Sequence, residues 1–403
     1  MKLLQINSVI NFGSTGRIAE EIGQLAITLG WESYIAYGRN DRASQSKKIR
    51  IGTEWDLKIH GLKTRLFDRH GFGSTKATKK LIIEIEKLKP EIIHLHNIHG
   101  YYINIELLFN YLSQTTIPIV WTFHDCWPIT GHCVYFDFVG CKKWKEHCDK
   151  CPQKNTYPSS VFRDNSFYNY DIKKKLFNSV SSLTLVPVSD WLADIIKESF
   201  FRKYPVEVIH NGVDTSIFRS SNVDKVKNKY DLANKFVILG VASVWDSRKG
   251  LNDFLELNTR LMSNEVIILI GLTLKQKKSL PNNIIGIERT ENISELVEFY
   301  STADVFVNPT WEDNFPTTNI EALACGTPVI TYNTGGSPEA ISKETGFSIT
   351  KGSLNELREK LDTIKMNGKS HYKEACRKRA MDNFNKNERY QEYIDLYQSL
   401  VKR

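Results

Sequence analysis

A chain of 403 residues exceeds what one hydrophobic core usually serves, so two domains are the starting expectation. Apolar residues at 41% and charged residues at 25% exclude wholesale disorder, and a net charge of +8 over this length is too mild to argue for nucleic acid. It leaves room for a phosphorylated substrate or an anionic membrane surface, and since nowhere do eighteen apolar residues run together, that contact would be peripheral.

The opening Lys2-Leu3-Leu4-Gln5-Ile6 reads as a strand with no signal-peptide pattern before it, from which a cytoplasmic enzyme is expected. Apolar β-branched runs predict strands at Leu3 to Val9, Ser33 to Tyr37, Glu91 to Leu95 and Ile117 to Phe123, with a helix from about Arg17 to Leu29. Further strands are expected at Leu183 to Val188 and Val206 to Ile209. The basic runs Lys142 to Lys145 and Lys173 to Lys175 read as solvated faces. The polar segment Asp214 to Asn234 marks a boundary, after which the rhythm restarts at Phe236 to Val241, Val266 to Ile270, Val305 to Asn308 and Pro328 to Thr331. The class is therefore α/β: two Rossmann-like, doubly wound parallel-sheet domains facing a central cleft at their strand ends. The expected limits are 1–215, with a Cys-rich insert at about 126–155, and 216–385. A final helix at 386–403, whose stripe Tyr390, Tyr393, Ile394, Tyr397, Leu400 and Val401 reads as packing, is expected to cross back to the first domain.

Three segments carry chemistry. Between the first strand and its helix, Gly13 and Gly16 let backbone approach a ligand, and the helix-start N–H groups favour an anion such as a diphosphate. A full Gly-x-Gly-x-x-Gly is missing, which argues against hydride chemistry. After the first strand of the second domain, Arg248 and Lys249 in Val244-Trp245-Asp246-Ser247-Arg248-Lys249-Gly250 can neutralise the charge on a departing diphosphate, although such a pair can equally be ordinary surface. The strongest signal runs from Trp311 to Pro328. Here Asp313 at the loop's mouth and Glu321 on the following helix can accept sugar and ribose hydroxyls. The segment Asn314, Phe315, Thr317 and Thr318 offers helix-start N–H groups to phosphate. The plain alternative is a helix start with surface acids.

On these residues the chain resembles the retaining GT-B glycosyltransferases of family 4 over nearly its whole length. Asp313 and Glu321 fall on the family's Glu, seven residues, Glu hallmark, and Glu321-Ala322-Leu323-Ala324-Cys325-Gly326-Thr327-Pro328 with Gly335-Gly336-Ser337-Pro338-Glu339 matches its continuation. His210-Asn211-Gly212-Val213-Asp214 looks like the family's segment at the end of the first domain, and Gly13 to Arg17 like its donor-diphosphate turn. The resemblance implies that Glu321 binds the donor ribose, Asp313 contacts the transferred sugar and Lys249 holds the diphosphate. It also implies that His124, in Thr122-Phe123-His124-Asp125, contacts the donor sugar near its reacting carbon. The implied donor is a UDP- or GDP-sugar. The implied acceptor is a glycan or lipid-linked saccharide of capsule, O-antigen lipopolysaccharide or exopolysaccharide, at the inner face of the cell membrane.

Departures from the family carry weight too. Val244 stands where the family usually has Arg, so Arg248 is expected to supply that cation, and Pro316 replaces a common glycine, with Thr317 and Thr318 compensating. No Asp-x-Asp motif is present, so a same-face displacement without a catalytic metal is expected. Cys133, Cys141, Cys148 and Cys151, ending in Cys-x-x-Cys, suit a structural zinc site with His132 as substitute ligand. Free cysteines or an iron–sulfur cluster are the alternatives. His94 and His96 share a strand face without an acidic partner, which favours structural or substrate-lining roles over a metal. A nucleotide-sugar epimerase of the same architecture and a non-catalytic sugar-nucleotide-binding protein remain as rival readings.

Overall fold

The computed structural model describes residues 1–402. In chain order the first part holds β1 (Lys2–Val9), α1 (Gly13–Thr28), β2 (Glu32–Arg39), β3 (Lys47–Arg50), α2 (Glu54–Phe67), α3 (Thr75–Leu88), β4 (Ile92–Leu95) and α4 (Ile105–Leu112). It continues through β5 (Ile119–Phe123), α5 (Ser166–Phe177), β6 (Leu183–Pro187) and α6 (Asp190–Glu198). There follow α7 (Asp224–Lys229), β7 (Phe236–Val241), α8 (Leu251–Asn258), β8 (Glu265–Ile270), α9 (Leu274–Lys278), β9 (Ile284–Ile287), α10 (Ile293–Thr302) and β10 (Val305–Asn308). The chain closes with α11 (Thr317–Ala324), β11 (Val329–Tyr332), β12 (Gly346–Ile349), α12 (Leu354–Asn367), α13 (Lys369–Phe384) and α14 (Lys386–Val401). Two compact units result, Met1–His210 with Tyr390–Arg403, and Asn211–Arg389.

Each unit is built on one six-stranded sheet, ordered β3-β2-β1-β4-β5-β6 in the first and β12-β11-β10-β7-β8-β9 in the second. Every paired register is parallel. The near-continuous burial of β1, β4, β5 and β8 is what a parallel sheet covered on both faces requires. Strand order reverses between β1 and β4 and again between β7 and β10, and the loops leaving those carboxyl ends are where an open α/β sheet takes its ligand. The stretch Val206 to Ile209, expected as a strand, contributes only a single bridge from Val206 to Leu185: Leu185 N donates to Pro205 O and Glu207 N to Leu185 O, but beyond it Ile209 N reaches Pro187 O while Pro187 has no N–H to return a bond. Among the described residues no helix is long and apolar enough to cross a membrane.

Several helices start on a side-chain acceptor: Thr53 caps α2 with a reciprocal Asp56, Asn104 caps α4, Ser189 caps α6 and Asn292 caps α10. By contrast α1 and α11, which leave β1 and β10 beside the two reversals, start after Phe12 and Pro316 without one. No side-chain acceptor therefore occupies the first N–H groups of either helix, although Asn319 N in α11 donates to Pro316 O at 3.2 Å.

The stripe on α14 packs as its spacing indicated. Tyr390, Tyr393, Ile394 and Tyr397 are buried with Leu3, Ile18, Ile22, Ile92, Val120 and Val186, Leu400 is partly buried, and Val401 is exposed. The tyrosines bring hydroxyls into this core that meet polar partners there. Tyr397 hydroxyl bonds His94 Nδ1 at 2.6 Å, His94 Nε2 meets Thr122 Oγ1 at 2.8 Å, and Thr122 Oγ1 donates to Tyr393 at 3.2 Å. Lys173 departs from expectation. It is buried on α5, donating to Trp127 O and Thr130 O at 2.9 and 3.0 Å, and burial draws its ammonium down to about 7.

Tyr397→Phe should leave the fold intact yet strand the buried His94 nitrogen, costing about 1–3 kcal/mol. A urea midpoint equal to wild type, with circular dichroism unchanged, would refute the bond's contribution.

Candidate functional site

In the second unit the site is two loops sewn together. Asp246 opens a one-turn 3-10 helix, Ser247–Lys249, its Oδ1 accepting from Arg248 N at 3.0 Å and Lys249 N at 3.1 Å. Gly250 follows at φ +76°, and a Cβ there would lie 2.2 Å from Pro309 O, so only glycine lets this loop pass so close to the one leaving β10. Trp311 N donates to Arg248 O at 2.7 Å, and Trp311 Nε1 donates to Asp253 on α8 at 3.0 Å.

The charged groups then meet across the seam. Lys249 Nζ pairs with Asp313 Oδ2. Arg248 lies against Asp246 at 3.0 Å and against the buried Glu312 at 3.6 Å. Two cations therefore face three carboxylates, of which Asp246 and Glu312 were not assigned a role from sequence. Gly335, at φ +54°, would place a Cβ 1.7 Å from Asp313 O, so the Gly335-Gly336 step is what allows β11's following loop to press on the backbone of Asp313.

Glu321 sits on the first turns of α11 and is 8% exposed. Tyr300 hydroxyl donates to its Oε2 at 2.9 Å, and burial, with the carboxylate beside it, pushes the phenol far above its ordinary value, so it stays a donor. The helix is fixed by Asn319, which accepts from Asn308 at 2.8 Å and donates to Ser337 Oγ and Ser337 O at 3.1 Å. Asn314 and Phe315 are buried beneath the loop, while Thr317 and Thr318 are half-buried at the helix start. The segment Asn211 to Asp214 packs on the chain before α14: Val213 N donates to Phe384 O, and a Cβ on Gly212 would lie 2.5 Å from Lys386 Cα.

In the first unit Gly13 is exposed at φ +63°, a conformation that needs glycine, with open space where a Cβ would stand. Gly16 has another task. A Cβ there would meet Val9 Cγ2 at 3.0 Å and Asn11 N at 3.2 Å, so its missing side chain serves the packing of α1 on β1.

His124 follows β5, half-buried, with burial pulling its imidazole down to about 4 against the opposing pull of Asp125, so the ring is neutral at pH 7. Its tautomer follows from a chain of bonds. Gln5 Nε2 donates to Ala19 O at 2.7 Å, which turns Gln5 Oε1 toward His96 Nε2 at 3.0 Å. His96 therefore carries its proton on Nε2 and offers a lone pair on Nδ1 to His124 Nε2 at 3.1 Å. The remaining nitrogen of His124, Nδ1, is then its base. Next to it, Asp125 accepts from His99 Nε2 at 2.7 Å and from Trp127 N at 2.9 Å. Burial alone would raise this carboxyl, but His99 and the N–H outweigh it and hold it below its usual range. The acidic partner missing from the histidine run thus comes from Asp125, and it meets His99 rather than His94 or His96.

Cys133 and Cys148 are buried, Cys141 and Cys151 half-buried, and all four carry free thiols lining one small cavity.

The sequence profile of Glycosyltransferase Family 4 matches residues 15–217, half of the chain, and that of Glycosyl transferases group 1 matches residues 222–382. A relative from Escherichia coli (strain K12), named as a colanic acid biosynthesis glycosyl transferase, WcaC, is 24% identical over 371 residues, covering 89% of each chain. Among solved structures, sucrose-phosphate synthase from Thermosynechococcus elongatus superposes with a TM-score of 0.72 at 15% identity, over 100% of this chain and 99% of that one. Anabaena Alr3699/HepE in complex with UDP superposes with a TM-score of 0.71 at 14% identity, over 99% of each. These likenesses place the fold among GT-B glycosyltransferases.

The buried imidazoles set a pH dependence. His60 and His124 are lowered to about 4, chiefly by burial, and His70, His94 and His96 lie well below their ordinary value for the same reason. In the unfolded chain each takes a proton below about 6.5. The unfolded state then binds more protons than the native one between about 6.5 and 4, so stability is full above that window and is lost as pH falls through it. All five belong to the first unit, and roughly 2 kcal/mol per ring should be lost by pH 5. Hydrogen exchange should show the first unit weakening more than the second between pH 7.5 and 5; equal weakening would contradict the assignment.

Proposed function

The chain belongs to glycosyltransferase family 4, and from that premise we propose that it transfers a sugar, with retention of anomeric configuration, from a nucleoside-diphosphate sugar to a saccharide. The observation that carries this reading is the seam itself: Lys249 paired with Asp313 at the strand-order reversal, beside Glu321 held by Tyr300. Glu321 takes the ribose hydroxyls, since a carboxylate with one oxygen occupied by Tyr300 is oriented before the nucleotide arrives. The N–H groups at the start of α11 and Lys249 take the diphosphate. As Lys249 swings to phosphate it leaves Asp313, whose carboxylate becomes an acceptor for hydroxyls of the transferred sugar. Arg248, buttressed by Asp246 and Glu312, adds positive charge behind the leaving group. In the first unit Gly13 and the N–H groups opening α1 serve phosphate, and neutral His124 serves the sugar.

In the reaction the bond from the anomeric carbon to the diphosphate oxygen breaks as the acceptor hydroxyl attacks on the same face. The hydroxyl proton passes to the departing diphosphate, whose charge is stabilised by fixed protein groups without a divalent ion. The HepE structure carries UDP, which makes UDP the first nucleotide to test. The colanic acid relative supports a growing surface polysaccharide as acceptor, and we place that acceptor on a lipid carrier at the inner face of the membrane as part of the same proposal.

A surface on the first unit fits that setting. On α2, Trp55, Ile59 and Leu62 recur at helical spacing yet face outward, Trp55 being 71% exposed, among the exposed Lys58, Lys63 and Arg65. Val161 N bonds Arg65 O at 2.8 Å, which brings Phe162, 73% exposed, and Arg163 alongside. An outward apolar stripe bordered by cations lies stably in the headgroup region of an anionic bilayer.

Two measurements test these assignments. UDP at a hundredfold its dissociation constant should stabilise the wild type by about 2.7 kcal/mol. Glu321→Ala should lose that response, while Asp313→Asn keeps it and loses turnover at least about tenfold, or 1.4 kcal/mol in the barrier. If no nucleoside diphosphate shifts the melt, the donor reading is wrong, and an absolute requirement of turnover for added manganese would defeat transfer without a divalent ion. Separately, the protein should sediment with vesicles containing anionic lipid and not with neutral ones, and Trp55→Glu with Phe162→Glu should abolish this. Sedimentation indifferent to both changes would remove the membrane surface.

A further inference from the structure

The segment between β5 and α5 holds a cluster that sugar transfer does not use. Cys133, Cys141, Cys148 and Cys151 line a single cavity of about 10 Å³, room for one ion rather than a substrate, together with Thr130, His132, Phe136, Lys143 and Trp144. Cysteine alone is a small hydrophobe and would explain buried thiols without a ligand. His132 does not fit that account.

His132 is buried, its Nδ1 meets Asp68 Oδ1 at 2.5 Å, and Asp68 is itself buried and fixed by Asn165 N at 2.8 Å. The other nitrogen, Nε2, is buried with no hydrogen-bond partner, although its ring lines the cavity of thiols. A buried imidazole nitrogen left this way costs about 1–3 kcal/mol, and a neutral thiol is a poor acceptor for it. A thiolate bound to a metal is a good one. Two cations lie nearby: Lys143 lines the cavity, paired with Asp149 at 3.0 Å, and the buried Lys173 lies on the neighbouring helix.

We propose that Cys133, Cys141, Cys148 and Cys151 bind one zinc ion as a closed tetrahedral structural site, with His132, oriented by Asp68, donating Nε2–H to a metal-bound thiolate. Four thiols lose their protons to solvent and the ion gains four sulfur bonds, leaving a complex of charge −2 beside His132, Lys143 and Lys173. Nothing is oxidised or reduced. Among the described residues no three of these sulfurs lie within 4.8 Å of one another, so the ion draws the loops inward as it binds. The loops it draws together flank the site residues. Thr130 Oγ1 donates to Cys133 O at 2.5 Å, Cys126 N to Val134 O at 2.9 Å, and a Cβ on Gly131 would lie 2.0 Å from Ser166 O at the start of α5. Zinc would therefore brace the chain that leaves His124 and Asp125.

The test is metal analysis of the full chain purified without chelator. One zinc per chain is expected, falling at least about tenfold in Cys148→Ser and in Cys151→Ser, and unchanged in Cys325→Ser and Cys376→Ser, whose thiols lie in the second unit. If the cluster variants do not fold, cobalt exchanged into the wild type should show thiolate-to-metal charge-transfer absorption with the intensity of four sulfurs. His132→Phe should keep the metal and release it faster to a chromogenic chelator. Metal-free protein whose thiols all react at once, iron in place of zinc, or a cobalt spectrum of three sulfurs with loss of metal in His132→Phe would each overturn the assignment.

Discussion

The hydrogen bond from Trp311 N to Arg248 O joins the loop after β7 to the loop after β10, and the arrangement of the second unit's charged groups follows from it. It works only because Gly250 can pass within contact of Pro309 O and Gly335 within contact of Asp313 O. With any side chain at either glycine the loops would separate. Arg248, Lys249, Glu312 and Asp313 would then no longer share one surface. Backbone clearance, rather than attraction between charges, fixes where the charges are.

That order of causes explains why so many carboxylates surround two cations. Uncompensated Arg and Lys held at fixed positions near a helix start would repel the dipole and each other. Asp246, Glu312 and Asp313 hold them in place, and an arriving diphosphate competes with carboxylates already there. The exchange has a chemical use in the proposed reaction, because it frees Asp313 only when phosphate is present. It also makes Arg248 less available than Lys249: Arg248 is bound on two sides, by Asp246 and the buried Glu312, and Lys249 by Asp313 alone among the contacts described.

Much of this was legible from sequence where period and burial coincide. The apolar runs of β7, β8 and β10 sit almost where patterning put them, since strands buried on both faces need unbroken hydrophobic sequence. Lys47–Arg50 escaped notice because an edge strand of Lys-Lys-Ile-Arg carries no such signal, and Ile284–Ile287 and Gly346–Ile349 are equally short. Site residues divide the same way. Asp313, Glu321 and Lys249 stood out by their spacing and resemblance, whereas Tyr300, Glu312, Gln5 and His96 act through partners distant in sequence. The packing role of Gly16 was not legible, because a glycine's reason is visible only in what its absent side chain would strike.

The same distinction decides the role of the last helix. His124 stands two residues beyond Thr122, whose hydroxyl reaches Tyr393 while His94 beside it reaches Tyr397. His94 lies against His96 with ring centres 3.9 Å apart and planes tilted by 40°, and His96 in turn bonds His124. Hydrogen bonds and one ring contact thus lead from α14 through the core of the first unit to the His124 imidazole. Polar groups buried this deeply persist only when every member has its partner. The tyrosines of α14 therefore do more than cover the sheet: they satisfy His94, and His96 beside it bonds Gln5 and His124.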